Sequence, residues 1–146
     1  MTPDPLTGHV VVLAAPAGVG EWDHEARDLA APAGAALLRE GVLLAVVTTD
    51  TGVQRDIDGN ASLQGVDPPI TWRANPADPS TWGRLAPHIE QRMGPVDAVV
   101  VDPAALEVVR ATFGGDMRRR GHGAIVMLSA AEDPVQAIRR QLHRPP

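Results

Sequence analysis

The sequence predicts an α/β fold built on a doubly wound parallel sheet of about five strands. Short runs rich in Val recur along the chain, and they are mostly apolar throughout, as in strands that are buried on both faces. Segments with helical features lie between most of these runs. This alternation is typical of parallel strands that are joined by crossover helices.

The strands follow from the apolar runs in order. Four runs are strongly apolar, and a weaker one lies between the second and the third of them. Each run is short enough for a strand and is bounded by turn-forming or polar residues. The predicted strands are residues 9–14, 42–48, 70–73, 96–101 and 124–128.

The helices are marked by residues that favour helix ends. Gly41 suits the position after a helix, while Asp78 and Pro79 suit the cap and the first turn of another. The arginines 118–120 lie where the dipole at the end of a helix favours positive charge. The predicted helices are residues 29–40, 79–93 and 104–120, with a short amphipathic helix at 134–142.

Residues 49–69 differ from the rest of the chain because they are rich in Asp, Gly and Asn and include few apolar residues. They are interpreted as a mobile surface excursion in place of the second crossover helix.

Composition limits the class of protein. The 146 residues, of which 44% are hydrophobic, predict one domain spanning 1–146 without a transmembrane run. The short polar start lacks the features of a secretory signal, so we expect a cytoplasmic protein. The net charge of -5 disfavours a nucleic-acid or membrane surface as partner. The absence of cysteine excludes disulfides and thiolate chemistry.

Two common proton-transfer groups are missing from the sequence. All 13 basic residues are arginine, and there is no tyrosine. The five histidines show no metal-ligand spacing, so no metal is predicted. They are His9, His24, His88, His122 and His143.

Five segments resemble, in order, motifs of the short-chain dehydrogenase/reductase family. They are LTGHVVVL at 6–13, LAAPAGVG at 13–20, NPADP at 75–79, MGPVDAVVVDPA at 93–104 and FGGDMRRRGHGAIVMLSA at 113–130. The resemblance implies a Rossmann-like sheet that is truncated at its C-terminal side, because the family's later strands and substrate-binding part have no counterpart after Ala130.

The resemblance also implies that the catalytic residues are absent. The family transfers a proton with a Tyr-x-x-x-Lys helix and orients its substrate with a serine. This chain has neither Tyr nor Lys, and Ala130 stands at the position of that serine, beside Ser129. No catalytic residue is therefore assigned.

The loop after the first strand departs from the family's phosphate-binding pattern. Ala14 replaces the first loop glycine, whereas Gly18 and Gly20 match the others. The acidic segment EWDHEARD, residues 21–28, is interpreted as an insertion that competes with phosphate for the helix N-terminus. Pro32 and Gly34 are expected to interrupt the helix that follows. We therefore expect no cofactor, although NAD(P) stays an alternative.

If NAD(P) binding is retained, the resemblance implies five contact residues. Asp50 would accept the ribose hydroxyls, or it is a solvated turn residue. Asn75 would bind the adenine, or it forms a turn before Pro76. The full predicted set is Gly18, Gly20, Asp50, Asn75 and Ala104.

Two functions are compatible with these features. The preferred one is a catalytically silent homologue that acts as a stabilising or regulatory subunit beside an active short-chain dehydrogenase/reductase or another pathway enzyme. An uncovered sheet edge would also allow a homo-oligomer. The alternative is an NAD(P)-binding sensor or atypical oxidoreductase, in which Asp102, His122 or a partner's residue supplies the proton.

Overall fold

The computed structural model describes residues 6–17 and 24–142, in which strands and helices alternate. The strands are β1 (Val10–Ala14), β2 (Leu43–Thr48), β3 (Ile70–Arg73), β4 (Ala98–Val101) and β5 (Ala124–Met127). The helices are α1 (His24–Arg39), α2 (Thr51–Gln64), α3 (Pro79–Met93), α4 (Leu106–Arg120) and α5 (Pro134–Leu142). A short 3₁₀ helix, Pro103–Ala105, precedes α4.

The sheet is parallel, with the strand order β3-β2-β1-β4-β5. The central strand β1 is fully buried, and Val11 pairs with Leu44 on one side and with Ala98 on the other. The strand order reverses between β1 and β4, as in other doubly wound sheets. The predicted fold class and all five predicted strands are confirmed, with small differences at the strand ends.

Two apolar layers cover the two faces of the sheet. Val11 and Leu13 point to one face, which is covered by α1, α2 and α5. Val12 and Ala14 point to the other face, where α3 and α4 pack. This alternation explains why the strands are apolar throughout, because both faces are buried.

Helix α2 contradicts the loop that was expected at residues 49–69. Its buried side chains, Val53, Ile57 and Ala61, recur every four residues and form one apolar stripe in an otherwise polar segment. Asp50 caps its beginning, and Gly65 ends it with a φ of 73°. The prediction of a loop is wrong because it follows the overall polarity of the segment and not the spacing of these three residues.

Helix α1 also differs from its prediction. It begins at His24, so residues 24–28 of the expected insertion form its first turns, and it continues through Pro32 and Gly34. A Cβ at Gly34 would lie 2.8 Å from Cδ1 of the buried Ile57. The glycine therefore allows α1 and α2 to pack closely instead of breaking the helix.

Helix α5 covers the sheet beside β5 within the same chain. Val135, Ala137 and Ile138 are buried in the core. The Gln141 side chain accepts a hydrogen bond from Ile125 N at 3.1 Å and donates one to Ile125 O at 3.3 Å. The outer side of β5 pairs with no strand among residues 6–17 and 24–142.

None of the helices in these two ranges is both long enough and apolar enough to cross a membrane.

Candidate functional site

The candidate site lies at the carboxyl ends of the strands, where ligands bind in doubly wound sheets. An aspartate in each of the segments after β2, β3, β4 and β5 accepts a hydrogen bond from a backbone N–H near the start of the next helix. The oxygen-to-nitrogen distances are 3.1 Å for Asp50, 3.0 Å for Asp78, 3.0 Å for Asp102 and 2.9 Å for Asp133. These helix starts, which could attract an anion, thus already hold the chain's own carboxylates.

Asp102 is the most deeply placed of these groups, with a relative exposure of 4%. Its Oδ1 accepts the N–H of Ala104, and its Oδ2 accepts the buried N–H of Ala17 at 2.9 Å. Both carboxylate oxygens are therefore fixed by the backbone. The bond from Ala17 joins the segment after β1 to the end of β4. The bond from Ala104 makes Asp102 the N-cap of the 3₁₀ helix, so the N–H of Ala104 is used in that cap.

Asp50 is held by a helix and by a cation. Its Oδ1 caps α2 through Val53 N, and its Oδ2 lies 2.7 Å from Nε of Arg27 on α1. Its own N–H donates to Thr48 Oγ1 at 3.0 Å. A ribose at this position would have to displace Arg27, a partner that sequence reasoning did not identify.

Asn75 and Ser129 also bind local backbone groups. Asn75 Oδ1 accepts the N–H of Ala77 at 2.9 Å, which closes a turn of the kind that the sequence allowed. Ser129 Oγ accepts the N–H of Ala131 at 3.0 Å. Gly18, Gly20 and residues 21–23 lie outside the described residues.

Capping has an electrostatic effect at Asp78. The backbone N–H and the hydroxyl of Ser80 both donate to its carboxylate and lower the pKa of Asp78 from its ordinary value. These bonds favour the charged form.

A cavity of about 340 Å³ lies where α1 meets the ends of β4 and β5. Glu25 and Asp102 contribute carboxylates to its lining, and Leu29 and Leu128 contribute apolar surface. The lining contains no cationic side chain among the residues that the structure describes.

Another group of ionisable side chains lies at the opposite end of the sheet. His9, Asp97 and His122 come together beside the starts of β1, β4 and β5. The spacing of these residues in the sequence did not indicate that they meet.

The fold is similar to that of solved oxidoreductases. No family model matches the sequence, and no curated protein matches it significantly. A protein from Burkholderia xenovorans described as a short-chain dehydrogenase/reductase has a TM-score of 0.61 and 19% identity, covering 84% of this chain and 56% of its own. A protein from Pseudomonas syringae described as a short-chain dehydrogenase has a TM-score of 0.63 and 13% identity. The match covers 85% of this chain and 57% of that protein.

The chain has a short-chain dehydrogenase/reductase-like fold. A structure from Haemophilus influenza, described as a D-mannonate oxidoreductase with bound NAD, has a TM-score of 0.59 and 10% identity, covering 77% of this chain and 51% of its own. The chain thus spans little more than half the length of these proteins.

Among the described residues, groups that contact a dinucleotide in this fold have partners within the chain. In this fold, backbone N–H groups after the first strand approach the pyrophosphate, and an acidic residue after the second strand binds the ribose. Here Asp102 accepts the N–H of Ala17, and Arg27 and Val53 occupy the carboxylate of Asp50.

Proposed function

We propose that this chain is a non-catalytic subunit with a short-chain-dehydrogenase-like fold, which stabilises or regulates an active oxidoreductase or biosynthetic enzyme. The observation that carries the proposal is the commitment of the polar side chains at the carboxyl ends to the chain itself. Asp50, Asp102 and Ser129 all accept hydrogen bonds from nearby backbone N–H groups. A site for chemistry needs groups that can instead turn to a substrate.

The sequence supports the same proposal. These 146 residues include neither tyrosine nor lysine, the residues that the similar family uses for proton transfer. Ala130 follows Ser129 at the position where the resemblance expects the catalytic serine. An active partner would therefore supply the reaction.

We place the contact with the partner in the groove beside β5. The groove has a volume of about 600 Å³ and lies between Leu106 and Arg110 on α4 and Ala137 and Arg140 on α5. Met127 in its wall is 50% exposed, and Leu43 at the start of β2 is the other large apolar side chain of the described strands with a similar exposure, 47%. Apolar surface beside a strand edge favours association.

Native mass spectrometry of the protein isolated from its own cells tests the proposal. We expect a complex with a second chain that has oxidoreductase activity. Met127→Arg should lose this partner, because it removes the apolar contact of Met127 and adds a positive charge to a groove that already holds Arg110 and Arg140. Leu63→Arg is the matched control, since Leu63 is 88% exposed on α2 and lies away from the groove, and it should retain the partner.

A homo-oligomer or a lone chain in that experiment would contradict the subunit proposal. If Met127→Arg and Leu63→Arg retain the partner equally well, the location of the contact in the β5 groove is wrong, whereas the subunit role is not contradicted.

The alternative is an NAD(P)-binding sensor or an atypical oxidoreductase, which the likeness to an NAD-bound structure favours. Calorimetric titration with NADH and NADPH separates the two functions. We expect no saturable binding up to about 1 mM. Micromolar binding that Asp50→Asn weakens and Asp78→Asn does not would establish the alternative instead.

A further inference from the structure

The amino end of the sheet brings together two histidines and an aspartate that are distant in the sequence. His9 directly precedes β1, Asp97 directly precedes β4, and His122 lies just before β5. Because β1, β4 and β5 are neighbours in the parallel sheet, their amino ends are adjacent. The three side chains therefore meet at the amino end of the sheet, opposite the candidate site at its carboxyl end.

Asp97 lies between the two imidazoles. Its Oδ2 is 3.2 Å from His9 Nδ1, and its Oδ1 is 3.1 Å from His122 Nε2. One ligand atom from each of the three residues lies within 4.8 Å of the other two. The imidazole rings are stacked with their centroids 5.8 Å apart. Three potential ligand atoms thus converge on one small volume.

The carboxylate is held in place while the imidazoles stay accessible. The N–H of Val10 donates to Asp97 Oδ2 at 2.9 Å. The side chains of His9 and His122 are 34% and 38% exposed, and that of Asp97 is 18% exposed. An ion can reach the ligands from solvent, and the hydrogen bond from Val10 preorients the acidic one.

We propose that His9, Asp97 and His122 bind one divalent transition-metal ion of the zinc class. Imidazole nitrogen and carboxylate oxygen are suitable ligands for such ions, at distances of about 2.0 to 2.2 Å. Small side-chain rotations would bring the three atoms onto a common ion, and water would complete the coordination. Metal binding replaces protons on the imidazole nitrogens that face the ion.

Arg120, two residues before His122, has its guanidinium bound to groups outside the cluster. Arg120 donates from Nη2 to the carbonyl of Val96, and its Nε lies 2.9 Å from Oδ2 of Asp116. Asp116 therefore offsets much of its repulsion toward a bound metal.

The proposed metal would join the starts of three neighbouring strands. An ion that binds the folded chain but not the unfolded chain stabilises the fold, and the gain grows with the logarithm of the free-ion concentration once that concentration exceeds the Kd. None of the three ligand residues lines the groove beside β5. The metal site and the proposed association are therefore independent, and either proposal can fail without the other.

Titration of the tag-free, metal-depleted chain with Zn²⁺ tests the site by calorimetry and thermal unfolding. We expect one ion per chain and a rise in Tm. His9→Ala and His122→Ala should each weaken binding at least about tenfold. His88→Ala is the matched control, because His88 is exposed on α3, and it should bind like the parent protein.

Co²⁺ provides a readout that depends on coordination rather than stability. We expect visible absorption bands of a low-symmetry Co²⁺ site that Zn²⁺ displaces and that Asp97→Asn diminishes while the circular dichroism spectrum is retained. Equal binding by the parent protein, His9→Ala and His122→Ala would overturn the proposal. So would the absence of binding to the parent protein.

Discussion

Aspartates lie at both ends of the sheet, but they have different partners. At the carboxyl end, Asp50, Asp78, Asp102 and Asp133 accept backbone N–H groups near the starts of helices. At the amino end, Asp97 also accepts a backbone N–H, that of Val10, but it lies between two partly exposed imidazoles. At the end where this fold commonly binds ligands, these carboxylates thus stabilise the chain's own helix starts.

The largest effect on stability is expected for Asp102→Ala, which tests this contrast at the carboxyl end. We expect it to destabilise the fold by about 2 to 4 kcal/mol, because two buried or partly buried backbone N–H groups would lose their acceptor. Urea unfolding should show a lower midpoint with an unchanged slope. Asp102→Asn, which keeps one acceptor oxygen, should lose less. Equal stabilities of Asp102→Ala and the parent protein would contradict a structural role.

Asp50→Ala should have a smaller effect, about 1 kcal/mol, because the cap of α2 is only partly buried. Arg27→Ala should cost less than about 0.5 kcal/mol, since the Arg27 side chain is 49% exposed and solvent screens its ion pair with Asp50. Chemical denaturation of the two variants separates the cap from the ion pair. A larger loss for Arg27→Ala would show that the ion pair dominates at this position.

His122→Ala should change stability by no more than about 0.5 kcal/mol in metal-free buffer, because the side chain is 38% exposed. Thermal unfolding with EDTA present measures this difference. A large loss without metal would indicate that the imidazoles at the amino end are structural, like the aspartates at the other end.

The smallest expected effect is a pH dependence at Asp78. Its pKa is lowered in the folded state by the hydrogen bonds from Ser80, so the charged form contributes stability above the pKa of the unfolded chain. This contribution is lost as the pH falls through the folded-state pKa. Asp78→Ala should therefore have a lower Tm than the parent protein at neutral pH, and the two should converge in acid.

Asp67→Ala is the control for that comparison, because Asp67 is an exposed aspartate outside the helices. Its Tm difference from the parent protein should vary less with pH than that of Asp78→Ala.

The strands could be predicted from the sequence because burial on both faces requires continuous apolar runs. Helix α2 was missed because only Val53, Ile57 and Ala61 are buried among many polar residues. Their spacing of four was the signal, and it carried more information than the composition of the segment. The predicted start of α1 at residue 29 is five residues late, because residues 24–28 of the predicted insertion belong to the helix and Pro32 and Gly34 do not interrupt it.

The side-chain groups were harder to predict because they depend on the strand order. His9, Asp97 and His122 have no local spacing in common, but each lies close before a predicted strand. A search across the starts of neighbouring strands, rather than along the chain, could have found them. The pair of Arg27 and Asp50 was missed because residue 27 had been assigned to an insertion.

The side-chain amide of Gln141 imitates a peptide group of a neighbouring strand, since it both donates to and accepts from the backbone of Ile125. A chain that adds a strand at this point must first displace that side chain. Pairing along the whole of β5 therefore competes with two hydrogen bonds that the folded chain already makes, so an incoming strand gains less at Ile125 than at an unoccupied strand edge.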